Sequence, residues 1–159
     1  MKTIEEWFDA YGESHQNSTN KMVHWICVPV IFFSIVGLLS EIPAAFLKDM
    51  VSEAVAPYVH WGTVLIVLGM LFYLRLSLSI SAGMLFISAV ILYLIKWMNL
   101  QGIHVGYTSL VLFVLAWLGQ FWGHKIEGKK PSFFQDLQFL MIGPIWLLGF
   151  IYRKIGLPY

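Results

Sequence analysis

The sequence predicts an all-α polytopic membrane helical bundle, and three observations predict it. Apolar residues make up 58% of the 159 positions and charged ones only 12%, about half the ~25% that a water-covered surface ordinarily carries. The mean hydropathy is +0.73. Four runs, residues 22–40, 54–74, 78–95 and 103–123, contain no Asp, Glu, Lys or Arg, and each is close to the ~20 residues a helix needs to cross the hydrocarbon core. Helices are required there, because an open sheet in lipid leaves backbone polar groups unpaired. The same composition excludes intrinsic disorder. A net charge of +1, from 10 Lys+Arg against 9 Asp+Glu, excludes the basic face of a nucleic-acid binder. The single cysteine, Cys27, lies in an apolar run, so neither a disulfide framework nor a thiolate metal site is expected.

Taken in order, residues 1–16 predict an interfacial amphipathic helix and residues 22–152 a helical bundle, within one domain over 1–159. Thr3 and Glu6 form a T-x-x-E capping box, and Ile4, Trp7, Phe8 and Tyr11 recur on one face. That face is expected among lipid headgroups. The first twenty residues are polar and acidic, where a signal peptide is basic and then apolar, so the first apolar run reads as a mature span. Asn17, Ser18 and Thr19 are turn and cap residues that should start a new helix. Four spans follow. Ser132 and Gln135 repeat the capping box after Pro131, ahead of a fifth run, 137–152, interrupted by Gly143-Pro144. That run is expected either to cross or to be re-entrant. No internal repeat is visible.

With four crossings, the N-terminal segment and the 125–131 loop share one side of the membrane. That side carries Lys2, Lys21, Arg75, Lys125, Lys129 and Lys130; the other carries Lys48 and Lys96, joined by Arg153 and Lys154 if the fifth run crosses. The asymmetry favours a cytoplasmic N-terminus.

The five histidines sort by side. His15, His24 and His124 share the face of the N-terminal segment, whereas His60 and His104 lie near the opposite one. Asn20 precedes His24 by four residues, as Gln120 precedes His124, so each pair stacks on one helix face; Glu127 follows three residues later. His15 is out of phase with His24 on a continuous helix, an objection that a chain break at Asn17-Ser18-Thr19 removes. Imidazole is a common ligand for Fe, Zn, Cu and Ni, and an amide one turn away can fix its tautomer. Glu127 could complete a two-His-one-carboxylate site, or stand behind an all-imidazole one; spacing leaves both open. The ordinary alternative, polar residues facing headgroups beside anchoring lysines, stands next to the metal reading.

Two blocks carry a resemblance. Residues 11–29, YGESHQNSTNKMVHWICVP, and residues 117–131, WLGQFWGHKIEGKKP, resemble the membrane-bound 2-hydroxy fatty acid dioxygenase family of phytosphingosine α-oxidation, over nearly the whole chain and including Gly143-Pro144. The resemblance implies an Fe(II)-dependent oxygenase that uses O2 to shorten a 2-hydroxy fatty acid by one carbon, releasing CO2. It also implies that His15, His24 and His124 are the metal ligands and catalytic residues. Asn20, Gln120 and Glu127 then stand as outer-shell groups or alternative ligands, and Lys125, Lys129 and Lys130 as candidates to draw in the substrate carboxylate. Two other classes compete. A heme-binding electron carrier would use His60 and His104 as axial ligands, and would show an intense Soret band. A non-enzymatic scaffold or small transporter is disfavoured as an ion path by the lack of charge in the spans. The expected setting is a multi-pass protein of a bacterial inner membrane or, in a eukaryote, of the endoplasmic reticulum.

Overall fold

Local signals at the helix ends behave as the sequence predicts. In a computed structural model that describes residues 2–128 and 133–159, with 133–139 as backbone only, Thr3 and Glu6 close both halves of the capping box, at 3.2 and 2.7 Å. They start α1 (Ile4–Gly12). Asn17 caps α2 (Ser18–Ser40), its Oδ1 accepting from the backbone N–H groups of Thr19 and Asn20 at 2.9 and 3.3 Å. A one-turn α3 (Ala45–Lys48) follows. Next come α4 (Trp61–Leu76) and α5 (Leu78–Leu100), parted only by the extended residue Ser77, whose Oγ caps α5. Helix α6 (Val105–Glu127) ends on Gly128 at φ 72°, the left-handed stop that glycine adopts without a Cβ penalty. Helix α7 (Phe133–Ile155) completes the chain, and no strand occurs among the described residues.

Among the described residues three helices, α2, α5 and α6, are long and apolar enough to cross a membrane. The second predicted run is shorter than expected. Pro57 lies in a 3-10 turn at Ala56–Tyr58, so α4 starts only at Trp61 and has 16 residues, ~24 Å at 1.5 Å per residue. The last run departs the other way. Helix α7 runs unbroken for 23 residues through Pro144, beginning ahead of the apolar stretch. Proline removes the intrahelical donor that would reach the Leu140 carbonyl; one residue on, Tyr73 Oη donates to the Met141 carbonyl at 2.9 Å. Ser132, the predicted cap of this helix, lies outside the described residues.

The main pair is α2 against α6, packed antiparallel. Small residues let the two backbones close up along their whole length. A Cβ built on Gly37 would meet the Ser109 side chain, one on Gly106 would lie 2.8 Å from Glu41 Cγ, one on Gly119 would lie 2.8 Å from Cys27 Sγ, and one on Gly123 would lie 2.5 Å from Asn20 Oδ1. Gly119 and Gly123 form a G-x-x-x-G stripe, the pattern that permits close approach where lipid removes the hydrophobic drive between helices. The start of α2 is thereby fixed beside the end of α6. Large apolar side chains on the outer faces of α5 and α6, among them Phe86, Leu115 and Leu118, remain exposed, as a lipid-facing surface would.

Helix α7 is the centre of the remaining core. Ile142, Ile145, Trp146, Leu147 and Leu148 are buried on all sides, among Ile4, Phe8 and Tyr11 of α1, Val28 of α2, Tyr73 of α4, and Ile80 and Met84 of α5. Its contacts fall in the half of those helices next to the start of α2. Met141 lies against Gly69 and Leu148 against Gly83, while Tyr152 Oη donates to the Ser79 carbonyl at 2.8 Å. The apolar face of α1 therefore packs on protein rather than being left to headgroups. Gly149 explains how it can: a Cβ there would lie 2.5 Å from the Phe8 ring.

Candidate metal centre

Two chain reversals bring three imidazoles together. Helix α1 stops at Gly12 and the His15 N–H donates to the Gly12 carbonyl at 2.9 Å. This turns His15 back over the first turns of α2, where His24 stands. The antiparallel α2–α6 packing delivers His124. One ligand atom from each of His15, His24 and His124 lies within 4.8 Å of the others, and the ring centroids of His124 are 5.5 Å from His15 and 5.2 Å from His24. His15 and His24 are each 2% exposed.

The closest contact carries the chemistry. His15 Nε2 and His24 Nε2 are 2.8 Å apart. Each ring also turns its Nδ1 to a main-chain carbonyl four residues earlier: His15 to Tyr11 O at 2.6 Å, His24 to Asn20 O at 2.9 Å. A carbonyl only accepts, so each Nδ1 must carry the proton; the tautomers are assigned from these partners. Both Nε2 atoms then present lone pairs to each other. With both rings neutral no proton lies between these two nitrogens, and a cation placed there binds both lone pairs. Two imidazole nitrogens at right angles round a metal, each at ~2.1 Å, stand ~3.0 Å apart, close to the observed spacing. A carbonyl that holds Nδ1–H and points Nε2 at the metal is the usual outer support of a histidine ligand. The donor set fits a metal ion.

Asn20 acts differently from its predicted role. Asn20 supports His24 through its backbone carbonyl, and its side chain reaches elsewhere. Asn20 Nδ2 donates to Glu127 Oε2 at 2.9 Å and to Ser14 O at 3.3 Å. Its Oδ1 is buried without a hydrogen-bond partner, close against Gly123. The backbone carbonyl is free for the imidazole because an oxygen with two lone pairs can serve the helix and the ring together. Gln120 is buried one turn before His124. Glu127 does not join the three-histidine group; its carboxylate accepts the backbone N–H of Gln16 at 2.8 Å and of Asn17 at 3.0 Å. Lys125 is exposed on α6, and Lys129 and Lys130 lie outside the described residues.

His60 and His104 stand at the other end of the bundle, as the side assignment predicts. His60 precedes α4 beside Gly62, which abuts Val36 near the end of α2, and His104 precedes α6, where Gly106 abuts Glu41. His60 is buried and His104 exposed. Burial first, and then the charge of Lys48, hold the His60 imidazole below its ordinary range.

Two aromatic residues at the centre escaped the sequence reading. Tyr11 stacks on His15, with centroids 4.1 Å apart and planes 10° apart, and Trp146 of α7 stands 5.4 Å from His15 and 5.0 Å from Tyr11. Tyr11 was visible as part of an amphipathic face and as the first residue of the 11–29 block, but not as a partner of His15. No local spacing relates Trp146 to a residue more than a hundred positions away.

Because the Asn17 side chain caps α2, its replacement is expected to be felt, although its backbone N–H still reaches Glu127. Asn17→Ala should cost about 1 kcal/mol of stability, the usual worth of a side-chain N-cap, read as a lowered Tm in detergent with α-helical content retained.

A search of curated proteins and one of solved structures each return no match. A family model does match, covering residues 1–155 and so both histidine-bearing blocks and the helices that join them. The chain belongs to the family described as 2-hydroxy-palmitic acid dioxygenase Mpo1-like.

Proposed function

We propose that this chain is an Fe(II)-dependent dioxygenase of 2-hydroxy fatty acids, acting at the membrane surface. One observation carries the reading: two buried, oriented imidazole lone pairs converge 2.8 Å apart beside a third histidine, in a chain of this family. The overall reaction balances as R–CHOH–COOH plus O2 giving R–COOH, CO2 and H2O. Bound iron supplies the redox chemistry that couples O2 to cleavage at the α carbon, and three protein ligands leave positions open for it.

The rest is the work of the chain. His15, His24 and His124 hold the ion, with Tyr11 O and Asn20 O fixing two of the tautomers. The Tyr11 ring covers one face of His15, and Trp146 closes in beside both, keeping water from that side. Lys125, continued in sequence by Lys129 and Lys130, favours an incoming carboxylate by about 1 kcal/mol per charge near the surface. The acyl tail remains among apolar helices. With the N-terminus cytoplasmic, the centre lies at the inner leaflet.

Metal content and turnover of the purified protein test the proposal together. Stoichiometric iron is expected, with O2-dependent conversion of 2-hydroxypalmitate to the acid one carbon shorter. A chelator should abolish turnover and Fe(II) should restore it. Turnover that survives complete removal of metal, or an intense Soret band at stoichiometric heme, overturns it.

A further inference from the structure

Glu127 brings a carboxylate to the site, and its bonds run away from the imidazoles. Its carboxylate takes three different donors: the backbone N–H of Gln16, the backbone N–H of Asn17 and the side-chain amide of Asn20. Gln16 adjoins His15, Asn20 lends its carbonyl to His24, and Glu127 itself lies one turn beyond His124 on α6. Three segments, each bearing one imidazole, thus meet on one carboxylate. The position suits an anion, because Gln16 and Asn17 lead into the positive N-terminal end of α2.

We infer that Glu127 is a latch that sets the separation of the three imidazoles, a positioning residue for the metal centre and not a ligand to it. The inference rests on the metal-site reading above but not on the substrate assigned there. A carboxylate is needed because it only accepts. Glutamine offers one acceptor arm and one donor arm, so in Glu127→Gln one of the three donors faces an N–H2 group. The segment bearing His15 then loses part of its hold on α6, while all three imidazoles remain present.

Cobalt(II) titration of the metal-free full chain in detergent tests this without any turnover. Glu127→Gln should weaken binding 10–100-fold, the usual effect of losing an outer partner. The visible spectrum of the saturated site should keep its shape, because no ligand has changed. In a His15→Ala background, titrated at higher cobalt because only His24 and His124 remain, the same substitution should cost less affinity than it does in the unaltered chain, since one of the segments it positions no longer carries a ligand. Amide exchange at Gln16 and Asn17 should quicken in Glu127→Gln. If that variant does not fold, Glu127→Asp, which keeps the charge on a shorter arm, should give a smaller loss of the same kind.

Unchanged affinity in Glu127→Gln overturns the latch, and an altered saturated spectrum shows a ligand instead. An equal loss with and without His15 shows a general structural role, which also overturns it. Failure of the unaltered chain to bind cobalt removes both the latch and the metal centre. Failure to oxidise 2-hydroxypalmitate while the binding cycle holds removes only the proposed substrate.

Discussion

His24→Ala is expected to abolish metal retention and turnover together, with His15→Ala close behind. Both rings are buried, and each Nδ1 is committed to a carbonyl, so each has one nitrogen left with which to bind an ion. Removing either ring leaves two imidazoles on separate segments, a loss that should exceed the 10–100-fold cost of an outer partner. A second consequence follows from the facing lone pairs. The two Nε2 atoms stand 2.8 Å apart only when the chain is folded, so an added ion binds the folded state in preference to the unfolded one. At a thousand times its Kd an ion bound in this way adds about 4 kcal/mol of stability. Fe(II) or Co(II) should therefore raise the Tm of the unaltered chain markedly and leave that of His24→Ala unmoved. His104→Ala, at the far end of the bundle, is the control and should keep full metal content. Retention of stoichiometric metal by His24→Ala would remove it from the ligand set.

The sequence carried the parts of this arrangement that depend on nearby residues. The capping box at Thr3, the break at Asn17 and the division of the histidines between two ends all follow from local spacing, and the structure has them. That His15, His24 and His124 belong to one group was implied by the resemblance of two blocks, because spacing alone leaves headgroup-facing histidines open. What local spacing could not supply was the choice among polar atoms. Asn20 was expected to orient an imidazole with its amide, yet the nearer carbonyl does so and the amide is drawn to Glu127. Helix lengths failed for a similar reason. An apolar run does not reveal that Pro57 delays α4, whereas the Ser132/Gln135 pattern did mark a start for α7 ahead of its apolar stretch. The burial of α1 depends on Gly149, more than 130 positions later. One legible signal was passed over: Gly119 and Gly123 stand four apart within the second block, a spacing that announces close helix contact.

That glycine pair gives the second large effect. Gly123→Ala is expected to destabilise the chain and weaken its metal site, whereas Gly119→Ala should only destabilise it. The added Cβ at 123 would lie 2.5 Å from Asn20 Oδ1 and 3.3 Å from Val23 Cγ1. Asn20 cannot swing aside cheaply, because its amide is held by Glu127 and Ser14 and its carbonyl by His24. The helices must part, or the amide must let go. Overpacking of this kind costs about 1–3 kcal/mol, and either escape disturbs the carbonyl that orients His24. At 119 the added carbon would meet Cys27 Sγ at 2.8 Å, an equal insult to packing but one turn farther from the imidazoles and with no hydrogen-bonded partner to the centre. Tm values measured without metal should thus fall for both variants, while cobalt affinity should fall about 10-fold or more only for Gly123→Ala. Adding Asn20→Ala to Gly123→Ala separates the two losses. Truncation relieves the clash, so Tm should recover in part, yet cobalt affinity should stay low because the amide that grips Glu127 is gone. Recovery of affinity in that double variant would mean that Asn20 matters to the centre only through the space it fills.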